Sequence, residues 1–589
     1  MDQDRRTLLK SAALAGLFSG ANTLGACSRS TEQGARTASG TASGGASGKL
    51  SIDTIAAAEK VHGLSFTAKE RSMLVDGLEA DLEVIKGLHR LEFANDLAPA
   101  LEFNPKLARK KISSQKNKLV LSNETAPPSP STDEDLAFSS VSEQGAWLRR
   151  GDVTSLQLTE NYLRRIRQHG DKVNCFATVT ENFALAEAAR ADKEMAAGRD
   201  RGPLHGIPYG LKDLADTKDI PTTWGAAPYK DRTPEQDAEV VRKLKRAGAI
   251  LLGKTTCGAI AYGDQWFGGR TRNPWNIEEG SSGSSAGSAA AIAAGLCTFS
   301  IGTETLGSIV SPSERCGTAG LRPTFGRVSR AGFMALCWSL DKVGPLCRNA
   351  EDTALVLSAI NGYDADDPGT VRVGFTYDRT IDLSTLTVGY VPSWFERGDD
   401  VDRTALAALR DLGVNVKEFP WPEMDVSPLS QIVVVEAAAA FAELTLSERD
   451  DELSWQAPEA WPNTWRRARF FSAVDYVQID RIRRRLMREM AEAFEGFDAL
   501  IGPHYAGGAL LATNCTGHPQ LVLRAGFAQT ESRTIESSEN VERASRRAKT
   551  PRGISLWGDL FQEGKIIALG HHLENALGVA WERPVDFNK

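Results

Sequence analysis

Residues 280–295 read GSSGSSAGSAAAIAAG, five serines set directly against a run of alanines. The stretch opens with linker composition and closes with core composition. It continues without a break into LCTFSIGTE (296–304), which predicts a buried helix feeding a buried strand. A tether has no such neighbour, and RTASGTASGGASG (36–48) shows what a tether looks like in this chain. A phosphate-cradling loop does not fit, because this stretch carries neither G-x-x-x-x-G-K-[ST] nor G-x-G-x-x-G. Gly283-Ser-Ser-Ala-Gly287 matches the G-x-S-x-G of a nucleophile elbow, with Ser285 as nucleophile and a late histidine such as His518 as base. That motif needs a strand immediately before the serine, and RNPWNIEEGS reads as loop.

The surrounding chain alternates strand and helix patterns. NCFATVT, GIPYGLKD and AILLGKT read as strands, and NFALAEAARADKEMAAG and DAEVVRKLKRAG as helices. A similar phase returns with LTVGYVP, a helix over 403–412 and VNVKEF. This predicts an α/β domain over 137–589, a mixed sheet covered by helices on both faces. Residues 49–136 read as a helical N-terminal extension, with Thr67 and Glu70 spaced as a capping box, and 105–135 as a surface crossing to the main body.

The first residues carry a different signal. Arg5-Arg6 precedes a weakly apolar stretch too short and too rich in Gly and Ser to span a bilayer, which reads as a twin-arginine export signal over 1–27. Leu24-Gly-Ala-Cys27 is similar to a bacterial lipobox, which implies lipidation of Cys27, and 28–48 reads as a Ser/Gly linker. The expected location is the cell envelope, with a membrane anchor and the body in the periplasm. Seven cysteines follow Cys27 without a C-x-x-C pair, and they read as buried small hydrophobes. A formal charge of −7, with no basic excess, argues against nucleic acid as a partner.

Three separated places bear on chemistry: Lys212 in GIPYGLKDLADTKDIPTTWGA, Ser284 in the serine-rich stretch, and Ser308 in FSIGTETLGSIVSP. Together with CGTAGLRPTFGRVSRAGF, SLDKVGPLCRNAEDTALVL, FDALIGP and ATNCTGHPQLVL, these segments resemble the amidase signature family of serine hydrolases over 137–589. The resemblance implies that Ser308 is the acylated nucleophile. It makes Ser284, entered by a cis peptide from Gly283, a relay serine and Lys212 the general base and later acid. Backbone N–H groups of Thr305, Leu306, Gly307 and Ser308 would form the oxyanion hole, with Ser285 in support. No metal or cofactor is implied.

Elementary chemistry suits these roles. A serine hydroxyl needs a nearby base to accept its proton, and lysine can be that base only where burial disfavours its charged form. Ser-Lys arrangements are an alternative to Ser-His-Asp. His205 and His518 read as packed histidines, Asp213, beside Lys212, as a structural partner rather than an acid catalyst, and Trp224, Trp266 and Phe267 as core or pocket aromatics. The arginine-rich RIRRRLMREM reads as a solvated face.

The sequence departs from the family pattern beside the expected nucleophile. Leu306 stands where the family has glycine, which predicts a strained oxyanion-hole backbone. Val310 replaces an arginine and Glu304 an aspartate, which predicts an altered charge pair behind the loop. Three readings follow: an envelope amidase acting on a small-molecule amide, a glutamine-hydrolysing amidotransferase A-type subunit, and a catalytically silent binding protein on the same fold. The amide and the oligomeric state are not legible in the sequence.

Overall fold

The computed structural model describes residues 50–91, 93–107, 112, 115–121, 128–532 and 547–588. The export signal, Cys27 and the linker over 28–48 lie outside the described residues. The chain divides into two compact units, Met1–Ala94 with Arg466–Gln478, and Asn95–Trp465 with Ile479–Lys589.

In the first unit, helices α1 (Ile52–His62) and α2 (Ala68–Leu88) are joined by a short turn. Thr67 caps α2 in the expected capping box: its hydroxyl accepts from Glu70 N at 3.3 Å, and its own N–H donates to Glu70 Oε2 at 2.6 Å. Glu59 on α1 accepts from Arg71 on α2 through Nε and Nη2, both at 2.7 Å. The unit ends well before the expected boundary at 136. Residues 95–136 belong with the larger unit, because Asn95 pairs with the backbone of Ala335 at 2.7 and 3.0 Å and Lys118–Val120 pairs in parallel with Thr376–Asp378.

In the second unit, among the described residues, eleven strands form one mixed sheet. They are β1 (Phe176–Val179), β2 (Pro208–Lys212), β3 (Ile250–Thr255), β4 (Phe299–Glu304), β5 (Ala319–Arg322), β6 (Lys342–Cys347), β7 (Thr387–Tyr390), β8 (Asn415–Glu418), β9 (Ala499–Pro503), β10 (Gln520–Glu531) and β11 (Arg547–Gly558). The spatial order is β8-β7-β9-β11-β10-β5-β6-β4-β2-β3-β1. Helices cover both faces of this mixed sheet; they include α3 (Ser155–Val173), α4 (Glu181–Ala196), α5 (Glu239–Arg246), α6 (Ala286–Ala293), α7 (Val310–Cys316), α8 (Ala350–Ile360), α9 (Ala509–Thr516) and α10 (Glu563–Leu577). The strands read from the sequence are all present in this sheet. β2 lies parallel between β3 and β4, and all three are buried almost throughout, which is why they read as continuous apolar runs rather than alternations.

Helix α6 is the alanine half of the opening stretch. Its residues from Ala286 to Ile292 are buried, and only small side chains let a helix lie this deep with its backbone against neighbouring chain. Gly287 sets the tightest approach: a Cβ there would stand 2.3 Å from Cys175 O and 2.4 Å from Thr256 N. RNPWNIEEGS is not wholly loop, since Arg272–Asn273 and Asn276–Gly280 form a short antiparallel ladder, but this ladder lies outside the central sheet.

RIRRRLMREM lies within the helix Ala473–Ala493 and is not a uniformly solvated face. Arg483 is buried and donates to Cys515 O at 2.6 Å and Ser339 O at 2.7 Å. All seven cysteines after Cys27 are buried free thiols, as expected.

Gly287→Ala forces backbone against backbone, so we expect it to lower stability by about 1–3 kcal/mol or more in denaturant unfolding. An unchanged midpoint would show that α6 can shift outward.

Candidate active site

Lys212 is the last residue of β2 and is fully buried. Its Nζ donates to Ser284 Oγ at 2.9 Å, Ser285 Oγ at 3.0 Å, Thr303 Oγ1 at 2.8 Å and Thr303 O at 3.3 Å. Burial pushes its pKa down to about 7, against weaker opposing pulls from Cys257, Asp341 and Glu304. The neighbouring carboxylate is turned elsewhere. Asp213 accepts from Thr223 N at 3.0 Å and from the Thr223 hydroxyl, and its other oxygen is 3.4 Å from Lys254 Nζ on β3. Asp213 is therefore a structural partner, and the cation it serves is Lys254.

Ser285 is locked. Its hydroxyl donates to Thr303 O at 3.1 Å while accepting from Lys212 and from Thr303 N at 3.2 Å. A hydroxyl held this way is a bracket for the lysine and a poor candidate for attack. The elbow reading also loses its histidine, because His518 stacks on Phe494 and meets Thr516 Oγ1 through Nδ1 at 2.8 Å. His205 lies beside Glu194, at 3.4 Å.

The Gly283–Ser284 peptide is cis, as the family resemblance implies. Gly283 packs on the backbone of Gly263, where a Cβ would stand 1.7 Å from the carbonyl oxygen. Ser308 is brought to this turn through its backbone, its carbonyl accepting from Ser285 N at 3.0 Å. Among the described residues no hydrogen bond joins Ser284 Oγ to Ser308 Oγ. The N–H groups of Thr305, Leu306, Gly307 and Ser308 likewise donate to no protein group among the described residues.

Two departures from the family pattern resolve in the loop that carries Ser308. Leu306 is absent from the residues with left-handed backbone; Gly307, at φ +93°, makes that turn, so the leucine side chain imposes no such strain. A charge pair also stands behind the loop despite Val310. Glu304 Oε1 accepts from Arg322 Nη1 at 3.0 Å and Asn514 Nδ2 at 3.0 Å, while Oε2 accepts from Ile309 N at 2.9 Å and Val310 N at 3.0 Å. Burial alone would raise the Glu304 pKa, but Arg322 and Lys342 outweigh it and hold the carboxyl at about 2. At the start of the loop, Thr305 Oγ1 donates to Asp341 Oδ1 at 2.6 Å.

Sequence reasoning missed Thr303, Asp341, Arg322 and Asn514 as members of this site. The cation in AILLGKT, Lys254, and the cation in GLRPTF, Arg322, were visible signals, since charges inside apolar strands are rarely unpaired. Trp224 is buried and packs on Tyr229 and Phe441. Trp266 is buried and Phe267 is 40% exposed. Among the described residues no group of three or more His, Cys, Asp and Glu side chains could hold a metal ion, and no helix is long and apolar enough to cross a membrane.

The amidase family model matches residues 157–566, and the chain belongs to that family of carbon–nitrogen hydrolases. The A-type subunit of glutamyl-tRNA(Gln) amidotransferase from Geotalea daltonii is 34% identical over 464 residues, 72% of this chain and 95% of that protein. The corresponding protein of Geobacter metallireducens is 33% identical over 467 residues, 74% of this chain and 96% of that protein. Among solved structures, native peptide amidase from Stenotrophomonas maltophilia superposes with a TM-score of 0.62 at 29% identity, covering 74% of this chain and 96% of that one. A bacterial aryl acylamidase of the amidase signature family shares the fold, with a TM-score of 0.63 at 21% identity over 76% of this chain and 99% of that one.

The depressed pKa of Lys212 has a stability consequence of definite sign. The unfolded chain binds this proton up to about the ordinary value of 10.5, whereas the fold releases it near 7. Stability from this group is therefore lowest below pH 7 and rises as pH climbs toward 10. Relative to Lys212→Met, which lacks the titration, the natural protein should gain about 1.4 kcal/mol per pH unit at most between pH 7 and 9 in urea unfolding. A pH-independent difference would show that Lys212 is charged in the fold.

Proposed function

We propose that the protein is an amidase that cleaves a carbon–nitrogen amide bond through Ser308, Ser284 and Lys212, by way of an acyl-enzyme. The observation that carries this reading is the Lys212–Ser284 hydrogen bond, made by a buried amine without a carboxylate partner. As substrate seats, Ser308 Oγ turns to Ser284, a bond that apo geometry commonly leaves open. The Ser308 proton passes to Ser284 Oγ as the Ser284 proton passes to Lys212 Nζ, and Ser308 Oγ bonds to the amide carbon. The oxyanion so formed accepts from the amides of Thr305 to Ser308. Collapse breaks the carbon–nitrogen bond, and the Lys212 proton returns through Ser284 to the leaving amine or ammonia. Water repeats the sequence on the ester, releasing the acid and restoring Ser308.

A fluorophosphonate serine probe followed by peptide mass spectrometry tests the assignment. We expect an adduct on Ser308, none in Ser308→Ala, and a labelling rate that rises with pH through about 7 and falls at least about 100-fold in Lys212→Ala. An adduct on Ser285, or none on the folded protein, would overturn it.

Similarity to the A-type amidotransferase subunits favours one further reading, hydrolysis of glutamine. Glutamate release by the isolated chain, blocked by the same Ser308→Ala change, would support it.

The envelope assignment is also a proposal, resting on Arg5-Arg6 and Leu24-Gly-Ala-Cys27. Expressed in a bacterium, the full chain should take up labelled palmitate and sediment with membranes. Cys27→Ser should abolish the label, and Arg5→Lys with Arg6→Lys should hold the chain in the cytoplasm; palmitate uptake by Cys27→Ser would sink the lipid anchor.

A further inference from the structure

The carboxylate behind the nucleophile loop faces more than one cation, and they come from different strands. Glu304 ends β4, Lys342 begins β6 directly opposite it in register, and Arg322 ends β5 on the far side of β6. Glu304 and Arg322 have fully buried side chains, and Lys342 is 3% exposed. Arg322 does not serve Glu304 alone. While Nη1 donates to Glu304, Nη2 donates to Thr513 Oγ1 at 2.9 Å and to His518 O at 2.8 Å. Asn514, next to Thr513 on α9, donates to the same Glu304 oxygen as Arg322. One guanidinium thus ties the carboxylate to a distant segment of the fold.

The other Glu304 oxygen takes the N–H groups of Ile309 and Val310, the two residues after Ser308. The carboxylate therefore closes a ring over the loop from 304 to 310. Among the described residues the amides of Thr305 to Ser308 lie inside this ring without protein acceptors, and Ser308 begins the turn into α7. Moving Glu304 would move Ile309 and Val310, and with them the direction of the free amides and of the Ser308 hydroxyl. Small displacements of such groups cost large factors in rate.

We propose that Glu304 and Arg322 are positioning residues for acylation, with Arg322 anchoring the carboxylate that sets the Ser308 loop. The inference rests on the assignment of Ser308 as nucleophile. It differs from a purely structural salt bridge in what happens when both charges are removed together. Breaking one partner leaves a buried uncompensated charge and destabilises the fold, whereas removing both relieves most of that cost, because Lys342, already held down to about 7 by burial, can shed its proton once Glu304 is neutral. A structural pair would then regain stability and labelling alike. A positioning pair would regain stability only, because a neutral amide at position 304, with no guanidinium at 322 to hold it, has lost its anchor.

The test is fluorophosphonate labelling of the full chain, resolved into probe affinity and maximal rate at Ser308, with melting temperature measured on each variant. Arg322→Met and Glu304→Gln should each lower both melting temperature and maximal rate. The Glu304→Gln/Arg322→Met double variant should regain most of the melting temperature but label at least tenfold more slowly than the natural chain, with probe affinity unchanged. Arg322→Lys keeps the charge but loses the forked contact to Thr513 and His518. It should stay folded and label about tenfold more slowly. Labelling of the double variant, or of folded Arg322→Lys, at the natural rate would overturn the proposal. Failure of the natural chain to label at Ser308 would instead remove the assignment on which it stands.

Discussion

The site depends on an amine buried without a carboxylate partner. Lys212 and Lys254 sit at the ends of adjacent parallel strands and are equally inaccessible to water, yet their surroundings differ. Lys254 faces Asp213 and donates to Ala215 O and Thr222 Oγ1 at 2.7 and 2.6 Å. Lys212 is met by hydroxyls and a carbonyl. Hydroxyls stabilise a neutral amine as well as a charged one, because they donate to it as readily as they accept. Burial then pulls the pKa of Lys212 down, and the chain passes from this amine at the end of β2 to the ion-paired Asp213 in the very next residue.

That arrangement needs rigid supports, and the sequence supplies them as small residues. The seven buried residues Ala286–Ile292 of α6 bring Ser284 and Ser285 to the ends of β2 and β4 without side chains to hold them apart. Gly283 and Gly287 lie against backbone, of Gly263 and of Cys175 and Thr256. The same stretch therefore looks like a linker in composition and behaves as core.

Legibility followed the range of the interactions. The strands β2, β3 and β4, helix α6 and the Thr67 cap were readable because each depends on local period or local spacing. The grouping of Lys212, Ser284 and Ser308 came from resemblance, since 72 residues separate the lysine from the serine it donates to. The Glu304 network was not readable. Its partners lie 18 and 210 residues away: Arg322 meets it because the sheet order puts β5 and β4 on either side of β6, and Asn514 arrives on helix α9. The same limit explains Arg483, whose helical neighbours are solvated while its own side chain runs inward to Cys515 and Ser339.

The departures at 306 and 310 show why residue identity at one position is a weak guide to a missing function. A leucine before the Gly307-Ser308 pair would obstruct the loop if the backbone there required left-handed angles. Gly307 takes those angles alone, so the requirement at 306 is only for space, and the side chain is half-buried at the surface of the loop. A valine at 310 would remove the charge behind the loop if that charge had to come from the loop itself. Arg322 brings it from β5 instead, and Glu304, one methylene longer than aspartate, holds that guanidinium and the loop amides at once. The constraint is on where the carboxylate and its cation meet, not on which strand delivers them. Neither departure, read with its surroundings, argues for a silent scaffold.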